Sequence, residues 1–296
     1  MTDKNKERLN EYIRATEEAL KKYNPETEKT ALQQTVVRAM NYSLEAGGKR
    51  IRPVLALEFC RLCGGEPYKA IAPACAIEMV HTASLIHDDL PCMDNDDYRR
   101  GKLSCHKKFG EAMGVLAGDA LFIMPFGVIA GAELDAETKV KIISELATLS
   151  NTEGMIGGQV IDIENEQRES VDEENLSMMY ACKTGAIIRA ACRMGCIAGG
   201  ASEEQLRNAD EYAKKLGLAF QIIDDILDVT STVEKLGKPI GSDEEQNKTT
   251  TVTLWGLDGA RERAKQLTDE ALDILWEFEG GDFLRELTIE LLIREN

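Results

Sequence analysis

Leu218-Ala-Phe-Gln-Ile-Ile-Asp-Asp-Ile-Leu-Asp-Val229 sets three carboxylates into a run that otherwise reads as a buried helix. At about 100° per residue, Gln221, Asp224, Asp225 and Asp228 fall within about 100° of arc, on one face. Core helices avoid carboxylates because an unpaired buried charge is costly. No Lys or Arg lies within one turn of that face. A metal ion, or a cation brought in from elsewhere in the fold, is the expected compensator. The alternative at this point is a solvated helix face with Asp as its polar stripe.

A second stretch repeats the anomaly: Leu85-Ile-His-Asp-Asp-Leu-Pro-Cys-Met-Asp-Asn-Asp-Asp-Tyr-Arg-Arg-Gly101. A helix beginning near Pro73 carries His81, Ser84, Leu85 and Asp88 on one side, at i, i+3, i+4 and i+7. It should end near Pro91, so that Asp94 arrives on a loop able to fold back towards Asp88. An EF-hand is excluded, because with Asp94 first the sharp-turn position is Arg99 rather than Gly, and the last ligand position is Cys105 rather than Glu. Oxygen ligands without that loop suit Mg²⁺, which takes one or two carboxylates and completes its shell with water and phosphate oxygens. Arg99 and Arg100, directly after the aspartates, suit phosphate through bidentate hydrogen bonds.

The rest of the chain is consistent with a globular helical protein. It has 296 residues, 35 Lys and Arg against 52 Asp and Glu, a net charge of −17, and only 5% aromatic residues. That length supports a sizeable core without disulfide or metal staples, and the composition favours helix over sheet. The negative charge argues against nucleic acid and anionic membrane surfaces as partners. Helical periodicity covers about 5–23, 29–45, 52–63, 68–89, 110–131, 136–165, 172–199, 202–230, 257–278 and 282–294, and no strand is expected. No linker divides the chain, so one all-α domain over 1–296 is the expectation. The polar start reads as no signal peptide. The longest uncharged apolar run, 120–132, contains Pro125 and is too short to span a bilayer. Eight scattered cysteines, with one CxxC at Cys60 and Cys63, read as thiols of a cytoplasmic protein rather than a zinc site. No GxxxxGK[ST] loop is present.

Several motifs together resemble the trans-prenyltransferases, the (E)-isoprenyl diphosphate synthases, most of all the bacterial and plastid farnesyl and geranylgeranyl diphosphate synthases. They are Gly47-Gly-Lys-Arg-Ile-Arg-Pro53, Asp88-Asp-x4-Asp94 with Arg99-Arg100-Gly, and Gly157-Gly-Gln-x2-Asp162. Lys183-Thr-Gly, Phe220-Gln-x2-Asp-Asp-x2-Asp228 and Gly237-Lys-Pro-x-Gly-Ser-Asp243 follow in the family's order. The resemblance implies an all-α isoprenoid synthase fold, a helical bundle around a central apolar cavity, usually as a homodimer. It implies Asp88, Asp94 and Asp224 as direct ligands of several Mg²⁺ ions, with Mn²⁺ as a substitute, and Asp89, Asp225 and Asp228 in support. Arg99, Lys183, Thr184, Gln221, Lys238 and Lys248 would hold an allylic diphosphate (dimethylallyl, geranyl or farnesyl). Lys49, Arg52, His81 and Arg100 would hold isopentenyl diphosphate. His87 and His106 are expected to be structural.

In related enzymes a cavity floor beneath the first aspartate motif stops chain growth. Here Ala83 and Ser84 occupy the turn below Asp88, and both are small. One turn, about 5.4 Å, is close to one extended isoprene unit. The expected product is therefore geranylgeranyl diphosphate (C20), with farnesyl (C15) as the alternative and Phe122 as another possible floor. A terpene cyclase would normally replace the second Asp-Asp-x-x-Asp, and a regulatory subunit would lose one motif, whereas both motifs are intact. A non-catalytic cation-binding bundle is the rival from another class. Leu103, Tyr98 and Thr251 depart from the family pattern without removing a ligand.

Overall fold

The helix that carries His81 and Asp88, α4 (Ile71–Asp88), is apolar nearly all round, and this decides its place. Ala74, Cys75, Ile77, Met79 and Ala83 are completely buried. Burying each large member stabilises the fold by about 1.5–3 kcal/mol. A helix without a polar face has to be central. The computed structural model describes residues 1–24, 26, 28–168, 170–230 and 249–292, and in it α4 is wrapped by neighbours.

These neighbours are α1 (Asp3–Tyr23), α2 (Gln34–Leu44), α3 (Ile51–Leu62), α6 (Glu111–Ala130) and α10 (Ala186–Gly199). A short α5 (Cys105–Phe109) leads into α6, and α7 (Ala136–Ser150) packs on α10. Next come α8 (Met155–Asn165) and α9 (Glu173–Tyr180). The long α11 (Glu203–Thr230) lies against α10 and pairs with α12 (Thr251–Ile274), while α13 (Asp282–Leu292) closes the end. One core cluster runs from Tyr12 on α1 to Leu292 on α13; a second joins α1, α2, α4 and α6 and includes Ala83.

Four features differ from the expectation. The segment 136–165 is two helices, because Asn151-Thr-Glu-Gly154 supplies turn chemistry that the periodicity on either side hides. Segment 172–199 is continuous but passes through a π-turn, Ala181–Gly185, between α9 and α10. α12 begins at Thr251 rather than 257; its N-cap Thr250 forms a reciprocal capping box with Thr253, and Gly256 (φ 70°) breaks it after one turn. The break lies where the expected helix was to start.

A strand pair also forms where none was expected. Tyr98–Arg99 (β1) pairs antiparallel with Lys102–Leu103 (β2) around Arg100 and Gly101, whose φ values are 53° and 74°. Two consecutive positive-φ residues define the tight hairpin turn that matches strand twist. An Arg in the first of these positions is uncommon.

Pro67–Asp88 and Glu111–Ala130 are each long and apolar enough to cross a membrane by length and composition, contrary to the reading of 120–132 alone. The first window is 72% buried inside the fold and the second 39%. The free face of α6 carries Leu116, Ile123 and Phe126.

Candidate active site

The first aspartate motif is built at the end of α4. After Asp88 the chain turns through Leu90 and Pro91, and the backbone N–H of Asp94 donates to the Asp88 carbonyl at 2.9 Å. Asp94 is thus folded back beside Asp88, as the proline suggested. Burial pushes the Asp88 carboxyl up to about 6; Lys183 opposes this and Asp94 adds to it. Asp89 is otherwise committed. It is 2% exposed and accepts from Arg99 Nε at 2.9 Å and also from Arg99 Nη2. Arg99 further pairs with Asp96 at 3.3 Å, so one guanidinium braces the aspartate loop.

The basic motif after α2 has a buried organiser. Arg50, at φ 49° just before α3, donates to Glu78 Oε1 at 2.7 Å and to the Leu44 carbonyl at 2.6 Å. This anchor fixes the start of α3, two residues before Arg52. Arg52 keeps a buried Nε with no hydrogen-bond partner among the described residues, and burial lowers its pKa to about 10, so it stays charged. His81 faces the same region. Burial first, and then Arg52, Arg100, Arg50 and Arg99, hold its imidazole well below its usual range. Arg100 reaches from the hairpin turn to the Gly47 carbonyl. Lys49 is exposed.

Lys183 lies on the π-turn. Such turns recur at functional sites because they turn side chains off the regular helical face. Its Nζ meets Asp162 Oδ2 on α8 at 2.5 Å. Gly158 makes the approach possible, since a Cβ there would stand 2.1 Å from the Lys183 backbone nitrogen. The next residue, Thr184, donates to Gln221 Oε1 on α11 at 3.0 Å.

The second motif follows one turn on. Asp225, 4% exposed, accepts from Tyr180 Oη at 2.6 Å and from Thr251 N and Oγ1 at 2.9 and 2.7 Å. Asp228 is also 4% exposed, and neither of its oxygens has a partner among the described residues. Asp224 is partly exposed.

A cavity of about 510 Å³ is lined by Arg52, His81, Asp88, Lys183 and Thr184 at its polar end and by apolar side chains including Leu85, Phe122, Ile156, Val160 and Ile187. Its size and lining suit a small ligand with one polar end. A smaller one, about 120 Å³, is lined by Asp162, Tyr180, Lys183, Gln221 and Asp225. Lys183 lines both, so the two motifs meet around it. Arg99, Arg100 and Asp89 line a separate small cavity behind the first motif. Lys238 and Lys248 lie outside the described residues.

No three acidic, His or Cys side chains form a ready metal cluster among the described residues. The donor set nonetheless fits Mg²⁺, which needs few carboxylates and fills its shell from phosphate and water. Asp228, a buried carboxylate with no hydrogen-bond partner among the described residues, is an acid that a bound cation would satisfy. As for the floor, Ser84 lines the cavity, whereas Ala83 is fully buried in the second core cluster and does not. His87 lines the cavity as well, with its ring 5.5 Å from Phe122 and Nε2 3.1 Å from the Val115 carbonyl. His106 is buried against Ser104.

Sequence reasoning assigned no role to Asp162, Tyr180 or Thr251, and took Arg50 only as one of the basic candidates for phosphate after Gly47-Gly48, not as a buried anchor. Arg50 and Asp162 sit inside quoted motifs, so their position was the available signal. Tyr180 offered none.

The polyprenyl synthetase profile matches residues 33–275. The chain is 48% identical over 260 residues to farnesyl diphosphate synthase of Geobacillus stearothermophilus, covering 86% of each chain. It is 46% identical over 244 residues to geranylgeranyl diphosphate synthase of Cyanophora paradoxa, covering 82% of this chain and 81% of that one. The crystal structure of a geranyltransferase from Helicobacter pylori, complexed with magnesium and isoprenyl diphosphate, superposes with a TM-score of 0.82 at 33% identity and covers 96% of both chains. The chain belongs to the polyprenyl synthetase family, has its all-α isoprenoid synthase fold, and is a prenyltransferase of the short-chain prenyl diphosphate synthase type.

Proposed function

We propose that the enzyme condenses isopentenyl diphosphate with an allylic diphosphate and carries growth to geranylgeranyl diphosphate. The observation that carries the site assignment is Lys183, which lines both the apolar cavity and the second aspartate site. In this reading Asp88, Asp94 and Asp224 hold Mg²⁺ ions together with the allylic diphosphate, and Asp228 supports them. Bound there, Mg²⁺ offsets the charge that develops on the departing diphosphate. Lys183, Thr184 and Gln221 contribute preorganised donors to the same oxygens, which act strongly in a water-poor site. Arg99 braces Asp89 and keeps further N–H groups for phosphate; Lys238 and Lys248 complete this set.

Arg52, whose buried Nε–H has no partner among the described residues, His81, Lys49 and Arg100 hold the diphosphate of isopentenyl diphosphate. The allylic carbon–oxygen bond breaks, the isopentenyl double bond attacks the cation, and a proton leaves. No side chain is assigned as the base; the departing diphosphate is taken as the proton acceptor. The apolar cavity walls keep water from the cation.

A C20 product is favoured because Ser84, not a large side chain, faces the cavity one turn below Asp88. The farnesyl alternative rests on His87 and Phe122, two bulky lining residues. Incubation with labelled isopentenyl diphosphate, each allylic primer and Mg²⁺, read by chain length, tests both. A dominant C20 product is expected, and a C15 end point would favour the alternative.

The whole chain is taken as one synthase domain, supported by the core cluster that joins α1 to α13. A cytoplasmic homodimer is proposed. Eight free thiols suit a reducing compartment, and the bare apolar face of α6, where Ile123 is 71% exposed, suits a second copy. Light scattering should give twice the 32.7 kDa chain mass, and a monomer would contradict it.

A further inference from the structure

Asp225 belongs to the second aspartate motif, yet one of its two oxygens is already fully engaged. Its Oδ2 accepts three bonds at 2.6 to 2.9 Å, and its Oδ1 lies 3.5 Å from Gln221 Nε2. The three donors on Oδ2 come from two other elements: Tyr180 ends α9, and Thr251 opens α12. The Thr251 backbone N–H is among the unsatisfied donors of a helix start, where a carboxylate is stabilised. Asp225 therefore ties three elements together at one oxygen.

We propose that Tyr180 and Thr251 are positioning residues for the reaction, which lock α11 through Asp225 so that Asp224, Asp228 and Gln221 are aimed at the allylic diphosphate and its metal ions. Successive helical residues differ by about 100° in direction, so pinning Asp225 sets where Asp224 points. Tyr180 also stands three residues before Lys183 on the same continuous helix. The tie thereby sets the spacing between Lys183 and the second motif. A carboxylate as buried as Asp225 would be destabilising without these donors. The residues assigned to isopentenyl diphosphate on α3 and α4 take no part in the tie. The inference rests on the reading of the second motif as a metal and allylic-diphosphate site.

Tyr180→Phe and Thr251→Val each remove one side-chain donor and leave the Thr251 N–H in place. Each should raise the half-saturating Mg²⁺ concentration and the KM for the allylic substrate by about 3- to 10-fold, the scale of one hydrogen bond. The KM for isopentenyl diphosphate should stay within about twofold, and Thr251→Ser, which keeps the hydroxyl, should restore both constants. The double variant should cost less than the product of the singles, because both donors share one oxygen. Unchanged constants with a lowered Tm, or an equal rise in both substrates' KM, would overturn the proposal and leave a structural tie only. Asp224→Ala measured alongside separates the two levels. If it abolishes Mg²⁺-dependent turnover while the Tyr180 and Thr251 variants are normal, the positioning role fails and the metal-site reading stands. If Asp224→Ala keeps normal Mg²⁺ dependence, that reading fails, and the inference with it.

Discussion

The backbone N–H of Asp94 donates to the carbonyl of Asp88 at 2.9 Å, so the six-residue spacing of the first motif becomes a closed loop rather than a helical stripe. The two carboxylates are brought together by main-chain geometry, while Arg99 occupies Asp89. Replacing Asp88 should therefore remove chemistry and not architecture. Asp88→Asn should lower turnover by about 10²- to 10³-fold, the usual cost of one preorganised electrostatic group. The helical circular dichroism signal should be unchanged.

Lys183 depends on Asp162 for its direction, at 2.5 Å. Asp162→Asn should weaken that charged hydrogen bond, which is worth about 1.5–3 kcal/mol. The expected result is a roughly 10-fold or larger rise in the allylic KM, measured by steady-state kinetics. Gly158→Ala should act through the same contact, because its Cβ would stand 2.1 Å from the Lys183 nitrogen. A loss of about 1–3 kcal/mol in denaturant unfolding is expected from such overpacking.

His81 gives a pH signature. Burial and the surrounding arginines hold its folded-state pKa well below the unfolded value of about 6.5. The unfolded chain then binds the extra proton as pH drops below about 6.5, so the stability this group supports is present at neutral pH and is lost towards its folded pKa. The Tm of the substrate-free enzyme should fall between pH 7.5 and 5.5, and His81→Gln should flatten the part of that fall due to the imidazole.

Much of the fold and site was legible in the chain, and what was not has physical causes. The proline after Asp88, the aspartates on α11 and the apolar wrap of α4 each carry a local signal, and the structure follows them. The hairpin at 98–103 was missed because its strands are two residues each, too short to show alternation. The role of Tyr180 was hidden because its partner Asp225 lies 45 positions away in the chain, and Thr251, which donates to the same oxygen, 71 positions away, so that the three meet only after folding. Ala83 was expected at the cavity floor from its neighbour relation to Asp88. Helix rotation instead turns it into the second core cluster and leaves Ser84 on the cavity.

That rotation makes product length testable. Ser84→Tyr places a ring in the cavity and should shift the main product one isoprene unit shorter. Phe122→Ala removes bulk from the lining and should lengthen it. Product chains released by phosphatase and separated by chromatography report both.

The central claim is that two aspartate motifs, meeting around Lys183, couple departure of the allylic diphosphate to carbon–carbon bond formation. Its most direct measurement follows inorganic diphosphate and labelled condensation product together, from geranyl and isopentenyl diphosphates. The enzyme and the variant carrying both Asp88→Asn and Asp224→Asn are compared, with Mg²⁺ and with a chelator. One diphosphate per new carbon–carbon bond, lost with the chelator and in the double variant, is the predicted result. Sustained product formation by the double variant, or diphosphate release without condensation in the unaltered enzyme, would contradict it.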